Sequence, residues 1–273
     1  MTIPKFQQTI LSWYKTNRRD LPWRRTHNPY RIMVSEIMLQ QTQVSRVLPK
    51  YKEFLGAFPT PKALAASNDA EILKIWSGLG YWRRARFLKE ACKIIIEHHK
   101  ETFPKDIPTL LKLPGIGPYT AGAISCFAFG NNEAFIDTNI RRVYLHFFFQ
   151  DKTNIPDSEI MPLAQKAIAN QDPREWHWAL FDYGALVLKD KKINRKSRHY
   201  NKQSKFDGSF RSYRAKLLRH VLAQPEQRMP VSLATDFLED LLRQDERDYS
   251  PQEILESLKT DNLVTVEKNI VRI

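Results

Sequence analysis

The chain has 273 residues, a formal net charge of +13 and an apolar fraction of 42%, with 15 Phe, 10 Tyr and 6 Trp. That much hydrocarbon excludes disorder throughout. Two cysteines, Cys92 and Cys126, exclude a disulfide framework and an all-cysteine metal cluster. No apolar run reaches membrane-spanning length, and the first residues lack the apolar segment of a signal peptide, so a soluble, cytoplasmic protein is expected. The positive charge points to a polyanion as partner, nucleic acid or an acidic membrane surface.

Helical spacing takes up most of the chain. Phe6, Ile10, Leu11 and Tyr14 form one amphipathic face. Pro29 opens a second helix, which is expected to run through Ser35 to Gln41. Pro49 is placed at or after the end of the next, and the pattern continues over 51–58. Helices are predicted over 69–76 and 85–98, with Gly78-Leu79-Gly80 as the turn between them. After Ile107-Pro108 come a short helical stretch at 109–113, a turn at Gly115-Ile116-Gly117 and a helix over 120–129. Helices over 139–149, 162–170 and 176–187 follow, and no alternating strand is read before residue 260. Residues 1–188 thus make a mainly α domain. Between 189 and 216 there are eleven Lys or Arg against two Asp. Three short helices, 210–222, 232–242 and 251–258, and two strands around Lys268-Asn269 then suggest a small winged-helix-like domain over 206–273.

The glycine turn carries the first chemical signal. Gly115 and Gly117 let the backbone turn sharply and approach an outside group. The helix behind them offers its amino end to a phosphate. Glu36 lies among Ile32, Met33, Ile37 and Leu39, and burial there raises a carboxyl pKa toward the range a general acid needs. Arg24, Arg84 and Arg86 are the alternative, as ion-pair partners. Gln40 and Gln41 follow on the same predicted helix and are suited to probing base edges. Asp137 precedes a helix, where a capping carboxylate is held ionised by amides and the dipole. One raised carboxyl and one ionised carboxylate are the pair that cleaves a glycosidic bond through a cationic sugar.

Five segments in register resemble the helix-hairpin-helix (HhH-GPD) DNA glycosylases. They are Leu21-Pro22-Trp23-Arg24, Ser35 through Val44, Trp76 through Tyr81, the glycine turn through Ala123, and Asp137-Thr138-Asn139. The paired glutamines and the Gly-Leu-Gly-Tyr turn are similar to the branch that removes adenine. The resemblance implies the two-lobed fold of that superfamily. It implies that Glu36 protonates the adenine ring at N7 and that Asp137 stabilises the sugar cation at C1′, with Tyr119 and Asn139 orienting the two. Gln41 and Tyr81 match wedges that enter the base stack while the target is flipped out. Trp23, Arg24 and Trp178 would line the base pocket. Tyr119 stands where bifunctional relatives carry a Schiff-base lysine, so base removal without strand cutting is implied.

Two departures shape the expectation. Relatives usually carry four cysteines just after the segment matching 182–187; Leu188 stands at the first of those places and none of the four is present. No iron–sulfur cluster, metal or other cofactor is therefore expected. The stretch 189–205, with Lys191, Lys192, Arg195, Lys196 and Arg198, is expected to be a basic linker engaging DNA phosphates in place of the cluster loop. Most relatives also end in a β-rich domain that senses 8-oxoguanine, which the residues after 205 do not resemble. The expectation is a monomeric glycosylase acting on double-stranded DNA with mismatched or oxidised bases, removing adenine opposite 8-oxoguanine or guanine. A thymine-specific mismatch glycosylase and a non-catalytic damage sensor are the alternatives.

Overall fold

The computed structural model describes residues 1–202 and 204–273. In chain order the helices are α1 (Ile3–Asn17), α2 (Pro29–Leu39), α3 (Val44–Ala57), α4 (Pro61–Ala66), α5 (Asp69–Trp76), α6 (Arg83–His99), α7 (Ile107–Leu110), α8 (Pro118–Phe129), α9 (Thr138–Phe148), α10 (Asp157–Ile168) and α11 (Pro173–Leu186). After a 3-10 turn at Lys191–Lys196 come α12 (Phe210–Ala223), β1 (Arg228–Pro230), α13 (Val231–Gln244), α14 (Pro251–Thr260), β2 (Thr265–Glu267) and β3 (Ile270–Arg272).

Side-chain caps set several helix starts. Asn68, Asp106, Asp137, Asp172 and Ser250 each accept a backbone amide at the start of the helix that follows. Each such cap contributes about 1 kcal/mol. Three features differ from expectation. Pro49 lies inside α3 and Pro162 inside α10. Each forfeits one helical hydrogen bond, but each faces solvent while the opposite face of its helix packs, Val47, Tyr51 and Phe54 in α3, Ile160 and Ala164 in α10. Burial of that face outweighs the lost bond. Third, a strand occurs before residue 260: β1 is three residues long, too short for alternation to reveal it, and is held by pairing with β3.

The described residues form two compact units interleaved along the chain, 1–36 with 103–202, and 37–102 with 204–273. In the first, α1, α9, α10 and α11 pack around Phe6, which is fully buried and meets the rings of Tyr144, Phe147, Phe148 and Trp176 at 5.1–5.6 Å. Residues 189–202 belong to this unit. The 3-10 turn packs on α9, and Asn194 Oδ1 accepts from Arg142 Nε at 3.1 Å. In the second unit α3, α4, α5 and α6 pack with α12, which touches α5. There α12, α13 and α14 lie with a three-stranded antiparallel sheet in the order β1–β3–β2.

Candidate active site

Glu36 is presented by an apolar stretch of α2. Ile32, Met33, Val34, Ile37 and Met38 are at most 1% exposed and Glu36 itself 3%. Tyr119, on the first turn of α8, donates its hydroxyl to Glu36 Oε2 at 2.6 Å. Burial raises the Glu36 pKa to about 7; the Tyr119 bond opposes this, the charge of Asp137 adds to it, and Arg24 lowers it. Burial and the neighbouring carboxyls hold the Tyr119 hydroxyl far above its usual value, so it remains a neutral donor.

Asp137 caps α9. Its Oδ1 accepts from the amide of Ile140 at 2.6 Å, and its Oδ2 from Asn139 Nδ2 at 3.0 Å. The expectation that capping dominates its titration meets a correction in direction. Burial raises the Asp137 pKa, and the bonds from Ile140 and Asn139 and the charge of Arg141 offset only part of that. A negative charge on Asp137 raises the Glu36 pKa and so helps keep a proton on Glu36.

Close packing fixes this pair. A Cβ on Gly122 of α8 would lie 2.8 Å from Cβ of Phe135, so glycine there admits the segment leading to Asp137. Phe135 stacks on His177 at 3.8 Å and 7°, and its ring meets Tyr119 at 5.7 Å. Burial lowers the His177 pKa to about 4, which leaves a neutral ring under Phe135. A Cβ on Gly184 of α11 would fall 2.5 Å from the carbonyl oxygen of Asn139. Arg142 then ties the same helix end by donating to Gly184 O at 2.7 Å and Leu188 O at 3.2 Å.

The expected pocket residues are engaged with one another. Arg24 donates from both terminal nitrogens to Asp182 at 2.8 Å, and Arg19 adds a bond of 2.7 Å. Burial pushes the Asp182 carboxyl up, but the bonds and charges of Arg24 and Arg19 overcome it and hold the pKa below its ordinary value. Trp23 is buried. Trp178 stacks on Phe127 at 5.4 Å, and the guanidiniums of Arg174 and Arg24 lie over it at 4.8 and 5.5 Å. Of the three arginines weighed against Glu36, Arg24 pairs with Asp182, Arg86 with Asp69, and Arg84 with backbone oxygens.

The second unit holds the paired glutamines and Tyr81. Helix α2 ends at Leu39, so Gln40 and Gln41 lie on a turn beyond the helix, with Gln41 left-handed at φ 55°. The reason is Arg84, which the sequence offered only as an alternative ion-pair partner for Glu36. Its Nη1 donates to the carbonyls of Ile37, Met38 and Gln40 at 2.7–2.8 Å, and its Nη2 to Thr42 Oγ1, Leu79 O and Gly80 O at 2.9–3.2 Å. One guanidinium thus joins both turns. Burial lowers its pKa to about 10, still well above neutrality. The signal for this role was the arginine at the start of an apolar-faced helix, directly after a double-glycine turn. Gly78 (φ 95°) and Gly80 (φ 73°) make that turn, and Tyr81 (φ 47°) follows with 36% of its surface exposed.

In the first unit Gly115 is left-handed at φ 76°, and Gly117 precedes α8 without a side chain to cap it. Among the basic residues, Lys192, Arg195 and Arg198 are exposed. Lys196 instead donates to Gln150 O at 2.5 Å, just past the end of α9. The side chain of Lys191 lies outside the described residues. Cys92 on α6 and Cys126 on α8 lie in different units, both buried, with burial pushing each thiol up to about 12. Leu188, expected to stand at the place of the first cluster cysteine, is buried. This donor set does not fit a four-cysteine cluster, and no group of three or more His, Cys, Asp or Glu suited to a metal occurs among the described residues.

Residues 34–170 match the HhH-GPD superfamily of base excision DNA repair proteins. The adenine DNA glycosylase of Buchnera aphidicola subsp. Baizongia pistaciae is 42% identical over 192 residues, covering 68% of this chain and 54% of that protein. That of Mycolicibacterium smegmatis is 50% identical over 135 residues, 49% of this chain and 46% of the other, and the human one is 34% identical over 197 residues, 68% and 36%. The chain spans about half the length of the curated relatives it matches. Among solved structures, a thermostable thymine-DNA glycosylase superposes with TM-score 0.64 at 30% identity, over 70% of this chain and 89% of that one. Endonuclease III in a non-covalent complex with DNA gives TM-score 0.59 at 22% identity, a likeness of fold, over 70% and 89%.

Proposed function

Since the chain belongs to the HhH-GPD superfamily of base excision DNA repair proteins, we propose that it is a monofunctional DNA glycosylase that removes adenine mispaired with 8-oxoguanine or guanine. The observation that carries this reading is the pairing of Glu36, whose pKa is about 7, with the α9-capping carboxylate of Asp137. The relatives named above as adenine DNA glycosylases support the choice of base.

In the proposed reaction the target adenine leaves the stack, since the C1′–N9 bond is shielded within a duplex. Glu36, still protonated near neutrality, gives its proton to the adenine ring, and the bond electrons pass to the departing base. Asp137 opposes the positive charge that develops on the sugar. Water adds at C1′ and loses a proton, leaving free adenine and an abasic site. Tyr119 holds Glu36 by a neutral hydroxyl and supplies no amine, so no Schiff base forms at that position and the strand stays intact. Gln41 and Tyr81 would enter the stack. The glycine turn before α8 and exposed Lys192, Arg195 and Arg198 would hold backbone phosphates.

We read the working species as a monomer on duplex DNA that uses no iron–sulfur cluster. No helix among the described residues is long and apolar enough to cross a membrane. A second reading, removal of thymine opposite guanine, is favoured by the likeness to a thymine-DNA glycosylase. End-labelled duplexes with A opposite 8-oxoguanine, A opposite G and T opposite G separate these. Breaks at adenine only after alkali are expected. Breaks at thymine support the second reading, and tight binding without breaks in any duplex supports a damage sensor.

A further inference from the structure

The C-terminal helices share a compact unit with the turn that carries Tyr81, and two side-chain ties join them. Arg211, on the first turn of α12, donates from Nη1 to the Tyr81 hydroxyl at 2.8 Å, with its guanidinium 5.8 Å from the ring centre. Its Nη2 donates to the backbone oxygen of Ser204 at 3.1 Å and to its hydroxyl at 3.2 Å, which fixes the guanidinium from a second side. Asp261, just after α14, pairs with Arg83 at 3.3 Å and with Arg214 of α12. Arg83 opens α6 two residues after Tyr81. Arg84 lies 5.6 Å from the centre of the Tyr81 ring.

Tyr81 follows two glycines with positive φ and is itself left-handed, so its backbone alone does not fix where the ring points. An exposed side chain held in one orientation avoids an ordering cost at the moment the base is extruded. We propose that Arg211 is a positioning residue for base extrusion, holding the Tyr81 ring by its hydroxyl and giving the C-terminal module a part in catalysis. The proposal rests on Tyr81 acting as a wedge.

The test uses the full chain and a duplex with 2-aminopurine beside an adenine opposite 8-oxoguanine. Rapid mixing at saturating protein gives the rate of fluorescence brightening as stacking breaks, and quenched samples give adenine release. The variants are Arg211→Ala, Arg211→Lys, Tyr81→Phe and the Arg211→Ala/Tyr81→Phe double variant. Each of Arg211→Ala and Tyr81→Phe is expected to slow brightening about tenfold, and the double variant no further than either alone, as coupled residues require. Arg211→Lys, which can still donate, recovers part of the rate. Multiplicative losses in the double variant overturn the proposal. So does an Arg211→Ala that loses only affinity, with a shallower salt dependence, since Arg211 would then be a phosphate contact. If Arg211→Ala does not fold, Tyr81→Phe carries the test by removing only the acceptor; an unchanged brightening rate then overturns the proposal. Brightening needs no bond cleavage. A wild-type protein that brightens but releases no adenine overturns the assignment of substrate and leaves this proposal to the coupling result; one that never brightens overturns the proposal.

Discussion

Tyr119 donates a 2.6 Å hydrogen bond to Glu36, a bond that favours the carboxylate, yet Glu36 binds its proton up to about pH 7. Burial therefore outweighs the bond. The order of those two effects makes Glu36 an acid near neutrality.

The contribution of Glu36 to stability should fall as pH rises, against the opposite trend from buried His177. The folded pKa of Glu36, about 7, exceeds its ordinary 4.5, so between those values the unfolded chain releases a proton that the folded chain keeps. The loss from this group amounts to about 3 kcal/mol once pH exceeds the folded pKa. Glu36→Gln has no such penalty. Urea midpoints of the variant and wild type should lie close at pH 5 and separate at pH 8, with the variant more stable. A constant difference across pH would mean that Glu36 is not held protonated by the fold.

Tyr119→Phe removes the bond that lowers the Glu36 pKa while leaving the burial that raises it. The alkaline limb of the pH–rate profile should move to higher pH, with a rate loss at the optimum of about two- to tenfold from weaker positioning. A limb that moves to lower pH would contradict the assigned sign.

Gly184→Ala places a methyl group 2.5 Å from the Asn139 carbonyl oxygen, so α9 must shift together with the cap at Asp137. Destabilisation of about 1–3 kcal/mol is expected, together with slower base release at saturating DNA and little change in affinity. Calorimetry and single-turnover kinetics read the two effects separately. A stable variant with the wild-type rate would show that the start of α9 is not held through Gly184.

The basic segment should divide by the company each side chain keeps. Replacing exposed Lys192, Arg195 and Arg198 with Ser should reduce the slope of log affinity against log salt by about one for each phosphate no longer neutralised. Lys196→Ser should leave that slope nearly unchanged and lower thermal stability, because its ammonium group is spent on the carbonyl of Gln150. The reverse pattern would assign Lys196 to DNA and the other three to solvent.

Local signals explain what the sequence made legible. The helix over 69–76 and the Asp137 cap were both read from one element's own residues, and both stand in the structure. Of the apolar neighbours read around Glu36 from helical spacing, Ile32, Met33 and Ile37 are buried and Leu39 is half-buried. What escaped depends on partners distant in the chain. Pro49 read as a helix end and Pro162 as a helix start because their local cost is visible, while the buried faces that outweigh it are not. Gln40 and Gln41 read as helical because nothing nearby announces that Arg84, more than forty residues on, takes the carbonyls there. Lys196 read as a phosphate contact because charge is visible in a sequence and an acceptor for it is not.

The most direct measurement is the single-turnover rate of adenine release from a duplex with A opposite 8-oxoguanine, followed from pH 5 to pH 9 in wild type and Glu36→Gln. The account predicts a wild-type rate that falls tenfold per pH unit above about pH 7 and a Glu36→Gln rate at least about 100-fold lower with no such limb. A wild-type rate that stays level to pH 9, or a Glu36→Gln protein that releases adenine at the wild-type rate, would contradict it.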